Sequence, residues 1–447
     1  MTSGATQAVS SADIVMSEPR HHSCIKHNSH SFTQQSGATY SIGGGHSCDL
    51  FHFKLKDVNS RSSVFRCIRN EQIGPWKWKP RSIISDYVAH QMPNLMQETV
   101  IPLGALNKVF SSHWVDSRNV VCATKCNQLF VVDTKTCRKT FIPILKCSSI
   151  NEDPDSPCGI HTIAVNRSRT FLATGAEHTN AVAVYRLPTF DPVYVGECGH
   201  NDWIFDIVWL DDEFFISGAR DSKLALWRVK DDVPQAVTSL ACLGKYPIVR
   251  PLSVKKCQKA EKVRALSYNN HTQELVVLSL SAYLHIFDAQ TMKQKFSRKL
   301  PFCLENVCLT NHEDYELYAV GSKSHVTFLD SRTLKPVNYI VSPYRGCGIR
   351  SISFQGNILT VGTGTGSILF YDIRQRKFLE CHCGQMSSLM VGPGYLHRDE
   401  VYQELFAGEV YRNAIYTHCY DASGTKLFAA GGPLPAGLSG NYAGIWQ

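Results

Sequence analysis

The chain has 447 residues, 43% hydrophobic and 19% charged, with a formal net charge of +8, a balance that supports a large buried core and excludes a wholly disordered or collagen-like polymer. No stretch approaches eighteen consecutive apolar residues, and the opening MTSGATQAVSSADIV lacks the basic-then-apolar layout of a secretory leader, so an intracellular protein that does not engage a membrane is expected. Seventeen cysteines are scattered singly through strand-like runs, Cys122, Cys308 and Cys419 among them, which suits buried thiols in a reducing compartment and argues against a disulfide framework.

Residues 1–80 are rich in Ser, His, Gly and Thr without apolar periodicity, and are expected to be mostly disordered. They contain His21, His22 and Cys24, which with Cys381-His382-Cys383 are the two places that resemble metal ligands. Neither has a second pair at zinc-finger spacing, so no metal or other cofactor is expected. In SIISDYVAHQMPNLMQE the residues Ile83, Ile84, Tyr87, Val88 and Met92 recur near helical spacing. The spacing predicts a short amphipathic helix over 81–97, interrupted at Pro93.

From residue 98 onward the period falls to two and the pattern repeats. One alternating run recurs as KVFSSHWV, GIHTIAVN, WIFDIVWL, KVRALSYN, NVCLTNHE, GIRSISFQ and AIYTHCYD. A second run near Gly or Ser follows each, and then a third such as LALWRV or ILFYDIR. The anchors Val109, Ile160, Ile204, Val263, Val307, Ile349 and Ile415 are 51, 44, 59, 44, 42 and 66 residues apart, the period of propeller blades with insertions. In GHNDWIFDIVWLDDEFFISGARDSKLALW, the residues His200, Ser217, Asp221 and Trp227 complete the WD40 signature, a hydrogen-bonded chain across the strands of one blade. An all-β, seven-bladed WD40 propeller over 98–447 is expected. Because the last repeat stops after its third strand, ETVIPL (98–103) is the expected donor of the missing outer strand, closing the ring without an open edge. The insertions 228–261 and 375–412 give no fold from composition; on the channel side either could form a lid.

In a propeller three positions per blade face the channel mouth: the residues before and after the anchor, and the residue before the turn that links the second and third strands. Reading those positions through all seven blades yields Lys108, Lys125, Arg220, Lys262, Arg264 and Arg350 and no Asp or Glu, where composition predicts about two of each sign. Phe110, His161, His178, Trp203, Phe205 and Tyr416 fill much of the rest. Like charges crowded at one mouth repel unless an anion visits. A single mouth suits a short acidic peptide or a chain end better than a nucleic-acid backbone, which takes a long basic stripe. An RNA-associated propeller or a plain scaffold remains the alternative reading. Catalysis is not expected: GTGTG (362–366) lacks the Lys-Ser/Thr of a phosphate loop, there is no Gly-x-Ser-x-Gly elbow, and no Cys/His pair has a context that favours a nucleophile.

The stretches LNKVFSSHW, TKCNQLFVVD, VGTGTGSILFYDIR and NAIYTHCYDASGTKLFAAGGPLPAGLSGNYAGIW resemble the WD40 substrate receptor of cullin-4 RING ubiquitin ligases that recognises proteins ending in two glutamates, from about residue 82 to the C-terminus. The resemblance implies a non-catalytic receptor, cytoplasmic and nuclear, whose six basic residues at the mouth contact the di-glutamate tail. It also implies that FLDSR (Asp330, Arg332) and FYDIR (Asp372, Arg374) dock the ligase adaptor, the triple-propeller damage-specific DNA-binding protein subunit, on the opposite face. The chain departs from that family before residue 80, where a Ser/His-rich stretch replaces the expected basic N-terminus, leaving adaptor affinity and nuclear import open.

Overall fold

Runs in which β-branched and aromatic side chains alternate with small or polar ones fit pleated strands, and such runs form seven mainly antiparallel sheets arranged as the blades of one propeller. The computed structural model describes residues 89–148, 159–229 and 246–447 except 345, 347 and 382. The extension 1–80, with His21, His22 and Cys24, lies outside the described residues.

The inner strands, in blade order, are Val109–Trp114, Ile163–Val165, Ile204–Trp209, Val263–Asn269, Cys308–His312, Ile349–Gln355 and Asn413–Tyr420. Seven hydrophobic clusters each join one blade to the next. The ring is closed by the cluster in which Val109, Trp114 and Phe130 of the first blade meet Phe428, Ala430 and Ile445 of the seventh. Burial is therefore distributed around the circle, each blade completing the core of its neighbours.

Glu98–Val100 supplies the outer strand of the seventh blade, pairing Glu98 with Trp446 and Val100 with Gly444. The Glu98 carboxylate fastens this seam by accepting from Tyr442 Oη (2.5 Å) and Gly392 N (3.0 Å). Of the helix expected over 81–97 only the end lies in the described residues: 89–91 are helical and run into a single 3-10 turn, Met92–Asn94, with Pro93 buried. Ala89 and Met96 pack among Ile368, Phe370, Leu427 and Trp446, between the sixth and seventh blades.

In the third blade the signature residues form one chain. Trp227 Nε1 donates to Ser217 Oγ (2.8 Å), Ser217 meets His200 Nε2 (2.7 Å), and His200 Nδ1 faces Asp221 Oδ1 (3.4 Å). Gly199 is required just before His200 because the Trp227 ring covers it, and a Cβ there would lie 2.5 Å from Trp227 Cζ2.

Both insertions contribute strands. After the residues beyond the described set, 230–245, the first returns as Ile248–Val249, parallel to the outer strand of blade two, and as Ser253–Lys256, the outer strand of blade three. The second splits the outer strand of blade six into Lys377–Phe378 and Ser388–Met390, then forms the helix Glu400–Leu405, capped by the Asp399 carboxylate accepting from Tyr402 N. Between the split strands Cys381 Sγ lies 2.6 Å from Cys383 Sγ. His382 is outside the described residues, and among those described no group of three or more metal-ligating side chains gathers.

Candidate anion site at the channel mouth

Two backbone features recur at the positions that the sequence assigns to the mouth. Five inner strands carry a register shift at the residue after the anchor, at Phe110, Phe205, Arg264, Arg350 and Tyr416. A bulge leaves that residue unpaired and turns its side chain away from the alternation of the strand. The second feature is a hydrogen bond from the residue before the turn to the residue before the anchor: Lys125 N to Lys108 O (2.8 Å), Arg220 N to Trp203 O (2.8 Å) and Leu280 N to Lys262 O (2.9 Å). Each bond draws two of the three mouth positions of a blade together.

The six basic residues are not equivalent. Lys108 is only 2% exposed, its Nζ donating to Pro435 O at 2.5 Å. Burial, and then the charge of Lys125, lower its pKa to about 7. Lys125 Nζ donates to Ala436 O (3.0 Å), so the loop 433–439 seats both ammonium groups. That loop is backed by the helix of the second insertion, with Phe406 and Val401 against Gly437. Arg220 lies 4.9 Å above the Trp203 ring and its Nε is 3.6 Å from Asp202 Oδ2. Lys262 is partly buried beside the Val263 anchor. Arg264 is stacked 4.9 Å from the Phe205 ring, within electrostatic reach of both Asp206 and Arg350. Arg350 Nη2 reaches Glu305 Oε2 at 2.6 Å, while its buried Nε has no hydrogen-bond partner.

Blades one to three add an aromatic wall. Phe110 stacks on His161 (4.7 Å between centroids), and His161 lies near Trp203 and Phe205. Burial, followed by the charges of Arg264 and Lys125, drops the His161 pKa to about 3, so this ring is neutral and adds no cation.

The mouth register omits three carboxylates and one ammonium. Asp202 and Glu305 lie two residues ahead of their anchors, just outside the positions read from the sequence, and Asp206 lies two residues after one. Asp206 is half-buried and accepts from Leu266 N (2.7 Å), Ile207 N (2.9 Å) and Thr162 Oγ1 (3.0 Å), linking blades two, three and four. Lys323 sits before the turn of blade five, with its Nζ 3.3 Å from Glu305 Oε1. The mouth is thus a basic centre with acids set at its rim, and the acid-free ring suggested by the register is incomplete.

The second candidate set lies on the other face, where the third strand ends. Asp330 Oδ1 accepts from Arg332 N (2.9 Å) and Thr333 N (2.8 Å), and Arg332 projects outward, its side chain 71% exposed, to Glu316 (2.7 Å). Asp372 differs from an exposed docking residue: its side chain is fully buried, and His90 Nε2 lies 2.9 Å from its Oδ2. Burial works to raise its pKa, but His90 and the amides of Arg374 and Gln375 hold it below the usual value. Asp372 thereby pins the segment entering the propeller, and Arg374 lies over that joint with Nη2 3.4 Å from His90 Nε2.

A family model described as the DDB1- and CUL4-associated factor 12 beta propeller matches residues 92–447. The chain is also similar to the guanine nucleotide-binding protein subunit beta-1 of Caenorhabditis briggsae, 30% identical over 131 residues, which are 28% of this chain and 35% of that protein. The chain therefore spans about a third of the length of that curated relative.

Proposed function

We propose that this chain, which belongs to the DDB1- and CUL4-associated factor 12 beta-propeller family, is a non-catalytic substrate receptor of a cullin-4 RING ubiquitin ligase. In this reading it captures proteins that end in Glu-Glu at the propeller mouth, holds the DDB1 adaptor on the opposite face, and acts in cytoplasm and nucleus. The observation that supports the reading is that Arg264 and Arg350, each at a bulge one residue after its anchor, lie close enough for the charge of one to act on the other. Two guanidiniums at one mouth suit adjacent carboxylates, which each fork can grip in bidentate fashion. Lys108 and Lys125, seated on the carbonyls of the 433–439 loop, would add compact charge beside them.

The test is the affinity of a short peptide ending in Glu-Glu against its C-terminally amidated twin, each measured across pH. The free acid should bind about tenfold or more tightly than the amide, as expected for loss of a charge-assisted contact. Equal affinity for both overturns recognition of the chain end, and an RNA-binding propeller would ignore the change altogether. The pH dependence follows from Lys108, whose pKa is lowered to about 7 in the free protein. A carboxylate nearby favours the charged ammonium, so the pKa in the complex lies above that of the free protein. Affinity is then full below pH 7 and declines as pH rises through 7 toward the bound value, by at most about tenfold per pH unit for one proton. Lys108→Met should flatten that decline; an unchanged slope removes Lys108 from the contact set.

For the adaptor face, Arg332→Ala with Arg374→Ala is expected to reduce co-purification of the adaptor by about tenfold, the size of an interface hot spot. The affinity for the Glu-Glu peptide should stay unchanged, because the two faces are separated by the length of the strands. The Arg332–Glu316 pair is exposed and adds little to stability. Undiminished adaptor binding would exclude these two arginines from the interface.

A further inference from the structure

The mouth already holds a carboxylate of its own. Glu305 Oε2 lies 2.6 Å from Arg350 Nη2 and its Oε1 lies 3.3 Å from Lys323 Nζ, so one side chain bridges cations from blades six and five. Its backbone sits at φ +52°, in the left-handed region that a glutamate rarely adopts. The amide of Lys323 is tied to Leu304 O at 2.9 Å, which places the ammonium beside this strained residue. Arg350 is well buried, its side chain 17% exposed, whereas Glu305 is 38% exposed and able to leave for solvent. Arg264, by contrast, faces an aromatic ring and the electrostatic influence of a carboxylate, Asp206, already engaged by three other donors.

We propose that Glu305 is a resident competitor for the acidic-tail site: it occupies the Arg350–Lys323 clamp in the free protein and must be displaced before a ligand carboxylate is gripped there. This inference rests on the mouth being an acidic-tail pocket. A tethered carboxylate acts at an effective concentration on the order of millimolar or higher. A lone terminal carboxylate that enters the clamp exchanges one charge-assisted contact for an equal one and gains nothing. A tail with neighbouring carboxylates can also reach Arg264 and Lys262, and so has interaction free energy to spare for the displacement. Glu305 thus sets how many carboxylates a chain end must present before it binds at micromolar concentration. Asp202 occupies the same place two residues ahead of the anchor in blade three, but its approach to Arg220 is longer, 3.6 Å, and it also accepts from Trp203 N.

The experiment measures three peptides against the full chain and its Glu305→Gln variant: one ending in Glu-Glu, one ending in Gln-Gln with a free carboxylate, and the Gln-Gln peptide amidated. Removing the resident charge should tighten the first two by about tenfold, the scale of relieving a like-charge contact at a binding site. The amidated Gln-Gln peptide, which carries no carboxylate, should not change. Glu305→Gly, which suits the left-handed backbone, should act in the same direction and guards against an effect peculiar to glutamine. Unchanged or weaker Glu-Glu binding in both variants overturns the proposal and makes Glu305 a positioning residue for Arg350. If the unaltered protein does not bind the Glu-Glu peptide at all, the acidic-tail reading itself fails and this inference falls with it.

Discussion

Replacing Arg264 and Arg350 together by methionine is expected to weaken binding of a Glu-Glu tail by more than about a hundredfold. Each partly buried, hydrogen-bonded charge pair lost from a binding site costs about 2–5 kcal/mol, so even the lower figure taken for both gives more than that. Methionine keeps an unbranched stem against Phe205, where the Arg264 guanidinium now stacks at 4.9 Å. The fold should survive because two opposing effects accompany the change. Mutual repulsion between the arginines disappears, while Glu305 and Asp206 each lose a neighbouring cation. A melting temperature within a few degrees of the parent, with peptide binding abolished by calorimetry, is the expected pair of results. Retained affinity in a folded variant would move the tail-binding site away from the channel mouth.

The mouth was readable in the sequence as far as the blade repeat stayed regular. Bulges fall at the residue after the anchor in five blades, so counting from Val263 and Ile349 finds Arg264 and Arg350 directly. The tetrad of blade three was equally legible, since His200, Ser217, Asp221 and Trp227 must stand at fixed offsets to touch. Blade five breaks the count. Its turn closes from Ser322 N to His325 O, three residues on, where blade one spans four, from Thr124 N to Gln128 O. With no turn aspartate at that place, the position before the turn has no marker, and Lys323 escapes. Glu305 escapes for another reason: it stands two places ahead of the Val307 anchor, outside the three positions read per blade, and its left-handed backbone at φ +52° departs from the extended chain on which that count rests. Asp372 was found as half of an Asp-x-Arg box, but its burial follows from His90, 282 positions earlier in the chain, a contact no local pattern encodes.

Asp206→Ala is expected to be the most destabilising change at the site, by about 3–5 kcal/mol, the cost of leaving three hydrogen-bond donors of the inner ring without their acceptor. The carboxylate accepts from Leu266 N at 2.7 Å, Ile207 N at 2.9 Å and Thr162 Oγ1 at 3.0 Å, and so ties the inner strands of three successive blades. Burial raises its pKa, with these donors and then Arg264 working to lower it. Alanine would orphan the amides of two buried residues, Ile207 and Leu266, and leave Arg264 without the carboxylate whose charge offsets its own. Asp206→Asn keeps the volume and one acceptor, and should cost less than half as much; denaturant unfolding of the two variants measures the difference. Their peptide affinities then separate two roles. If Asp206 serves mainly to join blades, the folded fraction of the asparagine variant binds a Glu-Glu tail as tightly as the parent or more so, because a negative charge near Arg264 has gone. If affinity instead falls as far as in the arginine variants, the carboxylate is what orients Arg264 toward the mouth, and the bond network that closes the ring also aims the residue that reads the ligand.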